Sequence, residues 1–377
     1  MQINIDYDPA RIEQNKKRWD AAFDLSVADR PPVVWGVAPR LPLLRRGKTF
    51  SDFFDDPIDQ FLNLIENFKW VAENLPGDLV TDTSLILQPQ FENASNANAF
   101  GCPVLWQDNM PPQALPAIAT LDDLKNYQPP PVEETLWQKM IDYYHAWRTW
   151  LDEGNLEVTI RGEPVSMDLH LHIGGESPFM IATDLCGCRI YEWMHEDPDA
   201  IHGLLKLITE RLIEMENRMR SICGHTDKGR WFLADDTAQI ISLEDFREFV
   251  VPYSGALYEA FAAGPVARIM HMCGRHPHLF PSLLDDLKIN GSWGYGSRNT
   301  PEEIRDGLGG KVLLVGNIDP MILCEGPKER IVAETRRLLD ALLPCGGIMV
   351  CDGYNLIPQT PIENLQIVVD TVEACCR

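Results

Sequence analysis

Apolar residues fall at helical spacing in DPIDQFLNLIENFKWVAENL (56–75), where Ile58, Phe61, Leu62, Ile65, Phe68 and Val71 share one face. Residues 1–30 read as a charged, partly helical lead-in. RPPVVWG (30–36), an apolar run behind prolines, predicts a first strand. The stretch from Leu41 to Asp56 is basic and then aromatic, too irregular for core, and reads as a loop or cap. LVTDTSLIL (79–87) is β-like. Residues 88–133, rich in Asn, Gln, Pro and Ala, read as a long insertion, and an amphipathic helix returns near 134–152.

The second half is more regular. VTIRG (158–162) and FMIATDL (179–185) are short apolar or β-branched runs with the look of strands. Residues 189–222 are strongly helical, with a break or restart at Asp197-Pro198. RWFLADDTA (230–238), ARIMHMCG (267–274), INGSWGYG (289–296), VLLVGNID (312–319) and GIMVCDG (347–353) read as strands, each followed by a helix. Helix starts are marked at Ser242, with Asp245 three residues on, at Thr300-Pro301-Glu302-Glu303, and at Thr360-Pro361-Ile362-Glu363. Five strand-then-helix units from about 179 to 377 imply parallel strands in an α/β fold. A doubly wound sheet and a closed barrel both satisfy that pattern. Neither a phosphate loop nor a GxGxxG follows a strand, so length and repeat count favour a (β/α)8 TIM barrel. The expected organisation is one domain over 1–377, with an N-terminal extension at 1–30 and the insertion at 88–133.

Composition narrows the function classes. The chain has 377 residues, 45% of them hydrophobic, with a formal charge of −23. That balance argues against non-specific nucleic-acid binding, which needs a basic face. No apolar run is long enough to span a membrane, and the polar N-terminus lacks a signal-peptide core, so the cytoplasm is the expected compartment. Ten cysteines in such a chain read as buried hydrophobes plus a few metal ligands, not as a disulfide framework.

Polar residues collect where the strands end. His271 and Cys273 stand at i, i+2 on a strand and so point to one face. Imidazole and thiolate suit Zn2+, and a third ligand from another strand would leave the open position of a catalytic zinc. Cys351 follows four apolar residues, so it too ends a strand. The plainer reading is that these are ordinary buried cysteines beside a histidine. Asp235 and Asp236 end another strand, either capping the next helix or acting in catalysis, by touching substrate or orienting His271. Trp35, His170, His172, Trp293 and Tyr295 are candidates to line a substrate pocket, with core packing as the alternative for the aromatics. Cys186 and Cys188 read as packing. His276 and His278 read as capping or surface residues.

Several segments resemble the uroporphyrinogen decarboxylase superfamily: RPPVVWG (30–36), DLCGCRIYEWMHEDPDAIHGLL (184–205), LADDTAQIISLEDFREFVVPY (233–253), HMCG (271–274), LVGNIDP (314–320) and GGIMVCDGYNLIPQTPIENL (346–365). Residues 88–133 carry no such likeness. The arginine-bearing MRQAGR-type segment of the decarboxylases is absent, and WGVAPR stands in its place with only Arg40. The corrinoid-dependent zinc methyltransferase branch is more similar. Its HxC and distant cysteine match His271, Cys273 and Cys351, and its acidic strand end matches Asp236. The resemblance implies zinc, and methyl transfer between a small molecule and a corrinoid such as methylcobalamin. The corrinoid would ride on a separate partner protein, since no DxHxxG segment is found here. Two directions follow: O-demethylation of an aryl methyl ether, slightly preferred, or transfer from a methylcorrinoid to a thiol such as coenzyme M. The rivals are a metal-free decarboxylase, with Arg40, Arg45 and Arg46 turned inward, and a non-catalytic binding protein. A homodimer is compatible with all of these.

Overall fold

The structure is a computed structural model that describes residues 1–80, 84–108 and 110–376. Its strands in chain order are β1 (Gln2–Ile5), β2 (Ser84–Leu87), β3 (Val104–Gln107), β4 (Met110–Ala114), β5 (Glu157–Ile160), β6 (Glu163–Pro164) and β7 (Ser166–Leu169), then β8 (Trp231–Ala234), β9 (Arg268–His271), β10 (Gly291–Trp293), β11 (Leu313–Ile318) and β12 (Ile348–Asp352). The last five form one parallel sheet in the order β12-β11-β10-β9-β8, with helices between consecutive strands. All six residues of β11 are buried, as expected of a strand covered on both faces. The α/β class is therefore observed.

Both edges of this sheet continue. Val33 bridges Val350 in parallel, and Glu176 bridges Ala234. β2 and β7 pair in parallel as a separate ladder. The expected first strand at 30–36 is thus reduced to a single bridge, because Pro31 and Pro32 cannot donate to a ladder. The described pairings do not link all these pieces into a ring.

Alternate residues of the sheet face two apolar clusters. Ile269, Leu313, Val315, Met349 and Cys351 pack with Val34 against Trp19, Phe23 and Trp293. Their neighbours in sequence, such as Met270, Leu314, Ile348 and Val350, face the surrounding helices in the larger core. The helix Pro9–Phe23 supplies Trp19 and Phe23, so the N-terminal segment is an integral part of the packing, not a mere lead-in.

Several expectations need correction. FMIATDL (179–185) lies in the helix Pro178–Cys186. Ser177 caps its start by accepting from Met180 N, Pro178 sits in the first turn, and Phe179, Ile181, Ala182 and Leu185 are buried. Leu41–Asp56 is core: it forms the short helices Arg40–Arg45 and Ser51–Phe54 and buries Leu41, Leu43, Phe50, Phe53 and Phe54. β5 pairs with β1 and β6, away from the main sheet. Of 79–87, only Ser84–Leu87 is a strand, and 81–83 lie outside the described residues. Thr360 does not cap the last helix, whose cap position is Pro361 without a side-chain bond. The break at Asp197-Pro198 is as expected, with Asp197 capping the helix Pro198–Cys223. The capping box of Thr300 and Glu303 is also formed.

Candidate metal centre

His271 ends β9, level with Ala234 at the end of β8. Its Nδ1 lies 2.7 Å from the carbonyl oxygen of Trp293 on β10. A carbonyl only accepts, so Nδ1 carries the hydrogen and Nε2 is the nitrogen left to bind a metal. That is the arrangement in which histidine ligates a metal. Nε2 faces Asp236, 3.6 Å from Oδ1, and the same oxygen accepts from the backbone N–H of Cys273 at 2.7 Å. Asp236, His271 and Cys273 bring one ligand atom each to within 4.8 Å of the others.

Two glycines allow this crowding. A methyl on Gly294, at φ +70°, would stand 2.5 Å from His271 Nδ1. One on Gly296, at φ +60°, would stand 1.8 Å from the carbonyl oxygen of Cys273. Both positions exclude a side chain on steric and conformational grounds.

Burial pushes the Cys273 thiol up to about 12, and the Asp236 carboxylate beside it adds to the shift. Burial also drives Cys351 well above the ordinary thiol value, again with a carboxylate, Asp352, beside it. Asp236 goes the other way: burial works to raise it, but the His271 ring and the Cys273 contacts outweigh that and draw it to about 2. Buried sulfur, imidazole and carboxylate thus crowd together; burial works to lower His271, but Asp236 outweighs it and raises the ring, which is the one group of the trio able to carry positive charge. A divalent cation would relieve the strained electrostatics and convert the thiol to thiolate. The donor set fits zinc.

Cys351 is not in the trio. It is buried on β12 in the cluster that includes Trp293, and its Sγ contacts Asp352 Oδ1 at 3.8 Å. Asp352 also accepts from Gly36 N at 3.1 Å. Asp235, just past the end of β8, makes a different set of contacts from Asp236. It is fully buried and accepts from Ser177 Oγ, Thr237 Oγ1 and Ala238 N, which is a structural set of bonds. Burial raises it to about 6.

Trp35 and Trp293 share one cavity. With Trp19, Val34 and Leu75 they line an apolar cavity of about 130 Å³. Tyr295 does not join that wall: it is buried, with its ring against Gly316 and its hydroxyl unpartnered. His170 and His172 are not brought to the centre. His172 stacks on Trp231, the first residue of β8, while His271 is level with the last. His170 lies further from the centre, bonded to Asp168. Cys186 is buried, as packing requires, whereas Cys188 is exposed. His276, expected at a cap or the surface, is buried against Phe280, and burial lowers it to about 4. Sequence reasoning missed the carbonyl of Trp293 and the steric roles of Gly294 and Gly296. SWGYG held the only signal, two glycines flanking an aromatic at a strand end.

Comparison with known proteins places these residues in context. The family model for uroporphyrinogen decarboxylase (URO-D) matches residues 91–375. The chain belongs to the uroporphyrinogen decarboxylase family. The match starts at 91, so it takes in most of 88–133, where the sequence alone had offered no likeness. The chain is 26% identical over 238 residues to a uroporphyrinogen decarboxylase of Anaeromyxobacter dehalogenans, a match covering 62% of this chain and 63% of that one. It is 23% identical over 295 residues to the methylcobamide:CoM methyltransferase MtbA of Methanosarcina mazei, covering 74% of this chain and 77% of the relative. In fold it is similar to a solved methyltransferase from Methanosarcina mazei, with a TM-score of 0.67, 18% identity, and coverage of 96% of this chain and 98% of the other. Among the described residues no helix is long and apolar enough to cross a membrane.

Proposed function

We propose that this chain is a zinc-dependent methyltransferase that passes a methyl group from a methylated corrinoid, carried on a separate protein, to a small thiol. One observation carries the reading: the His271 ring, its Nδ1 committed to the Trp293 carbonyl, turns Nε2 toward Asp236 and Cys273. His271 and Cys273 would hold the ion, with Cys351 as the third protein ligand. Asp236 would orient the other two or complete the shell. Zinc held by these residues would keep a bound thiol ionised at neutral pH and so would supply the nucleophile.

The remaining work falls to the chain itself. The Trp293 carbonyl fixes the tautomer and plane of His271. Asp236, ionised, draws the Cys273 backbone into place. The cavity walled by Trp19, Trp35 and Trp293 adjoins His271 through Trp293. We further propose that 33–36, 84–87, 166–176 and the five-stranded sheet close into a (β/α)8 barrel. The centre would then lie at the strands' C-terminal ends, where that fold places its active sites.

Demethylation of an aryl ether, slightly preferred on sequence, is set aside. Of the two directions, thiol methylation is the one named in the Methanosarcina relative. The decarboxylase reading needs several arginines facing substrate. Arg45 instead donates to the carbonyls of Pro358 and Thr360, and Arg46 to Asn63 and Asn67. Arg40 lines a cavity of about 300 Å³ beside Glu92 and Leu356. The test is transfer from free methylcobalamin to 2-mercaptoethanesulfonate or another small thiol, followed by the cobalamin absorbance. Zinc-dependent demethylation that vanishes in Cys273→Ala is expected. No transfer to any thiol would refute the reading and favour a binding protein.

A further inference from the structure

A second group of metal-ligating side chains stands apart from the His271 centre. Asp168 closes in on two histidines: His170 Nε2 lies 3.0 Å from Oδ2, and His225 Nε2 lies 3.1 Å from Oδ1. The two imidazoles stack face to face, with centroids 3.7 Å apart and planes 11° from parallel. One ligand atom from each residue lies within 4.8 Å of the others.

The position is distinct. Asp168 is on β7 and His170 follows it, while His225 is in the loop after the helix Pro198–Cys223. Glu176, further along the same segment, is level with Ala234 and hence with His271. The two groups share no ligand residue and draw on different strand segments.

We propose that Asp168, His170 and His225 form a second binding site, for a divalent transition-metal ion, that pins the loop after residue 223 to the strand segment beginning at β7. Ligand atoms about 2.0–2.1 Å from one tetrahedral ion stand about 3.3 Å apart, close to the carboxylate–imidazole spacings already present. Asp168 and His170 at i, i+2 face one way, as His271 and Cys273 do. Both rings turn Nε2 to the same carboxylate, and because each lone pair lies in its ring plane, at least one of the stacked rings rotates to share the ion. Two imidazoles and one carboxylate suit Zn2+, Ni2+, Co2+ or Cu2+ better than Mg2+ or Ca2+. All three residues are partly exposed, which gives an ion a path from solvent.

The test is a Co2+ titration of tag-free, metal-stripped full-length protein. Thiolate-to-cobalt charge transfer reports any ion at Cys273, and an ion held by nitrogen and oxygen alone shows only weak visible bands. His225→Gln, His170→Gln and Asp168→Asn are each expected to lose one bound equivalent without changing the charge-transfer signal or the circular dichroism. His145→Gln, at an exposed histidine elsewhere, is expected to lose none. A lost equivalent supports the site whether or not the sulfur-bound signal forms, so this outcome is independent of the proposed activity. Stoichiometry unchanged from wild type in the variants that keep wild-type circular dichroism would overturn it.

Discussion

The two metal-ligating groups of this chain share a plan and differ in what surrounds them. Each takes an i, i+2 pair from one strand segment, His271 with Cys273 or Asp168 with His170, and a third member from elsewhere. At the His271 group the backbone is shaped around the ligands: a carbonyl fixes the ring, and two glycines leave room. The group contains sulfur, and its Asp236 carboxylate is held ionised in a buried setting. At the Asp168 group no backbone group among the described residues holds either ring, and the side chains remain part-exposed. A chemical centre needs its ligands pre-set, whereas an ion that merely pins a loop can collect ligands from the surface.

The largest effect expected to sharpen this contrast comes from Cys273→Ala. It should reduce methyl transfer to the uncatalysed rate while leaving any ion at Asp168 in place, as read by metal analysis and the cobalamin assay. Full activity in this variant would break the comparison. Next is Gly294→Ala, which touches no substrate but drives a methyl into the His271 ring. A loss of metal affinity of about 10–100-fold is expected at the His271 centre alone, since displaced supporting groups cost that much. Binding unchanged in a competition titration with a chelator would show that the ring does not need its present plane.

A third effect lies on the strand segment joining the two groups. Burial raises Glu176 to about 7, with Asn96 donating to it. A carboxyl raised on folding favours the native state while both states are protonated. That advantage is lost as pH climbs from the unfolded value through the folded one. Stability should therefore fall between about pH 4.5 and 7, by roughly 2–3 kcal/mol from this group. Urea unfolding of Glu176→Gln should show a flatter pH profile across that window, and an unaltered slope would count against the assignment. The smallest effect is Thr300→Ala. It removes a capping box whose Glu303 also pairs with Arg275, two residues beyond Cys273. About 1 kcal/mol of stability should be lost, with both metal groups intact.

The second half was largely legible because its signals are local. Apolar strands, caps at Ser242 and Thr300, and the Asp197-Pro198 break all act within a few residues. FMIATDL was misread because a short apolar run has no clear period, and the deciding residues, Ser177 and Pro178, lie before it. The β1–β5 pairing joins residues some 155 apart, and nothing local specifies such a register. Of the His271 centre, the i, i+2 pair and Asp236 could be read from strand ends. The placement of Cys351 could not, since it depends on how β12 sits beside the bridge at Val33. His225 was invisible for the same reason: a single histidine in a loop gives no hint of Asp168.

The central claim is that one ion sits on His271 and Cys273, with sulfur from Cys351 as well. Zinc-edge X-ray absorption on protein carrying one equivalent of zinc, in the His225→Gln background, addresses it directly. Sulfur neighbours at about 2.3 Å together with nitrogen or oxygen are expected, with the sulfur contribution reduced in Cys351→Ala. A first shell of nitrogen and oxygen alone would contradict the account.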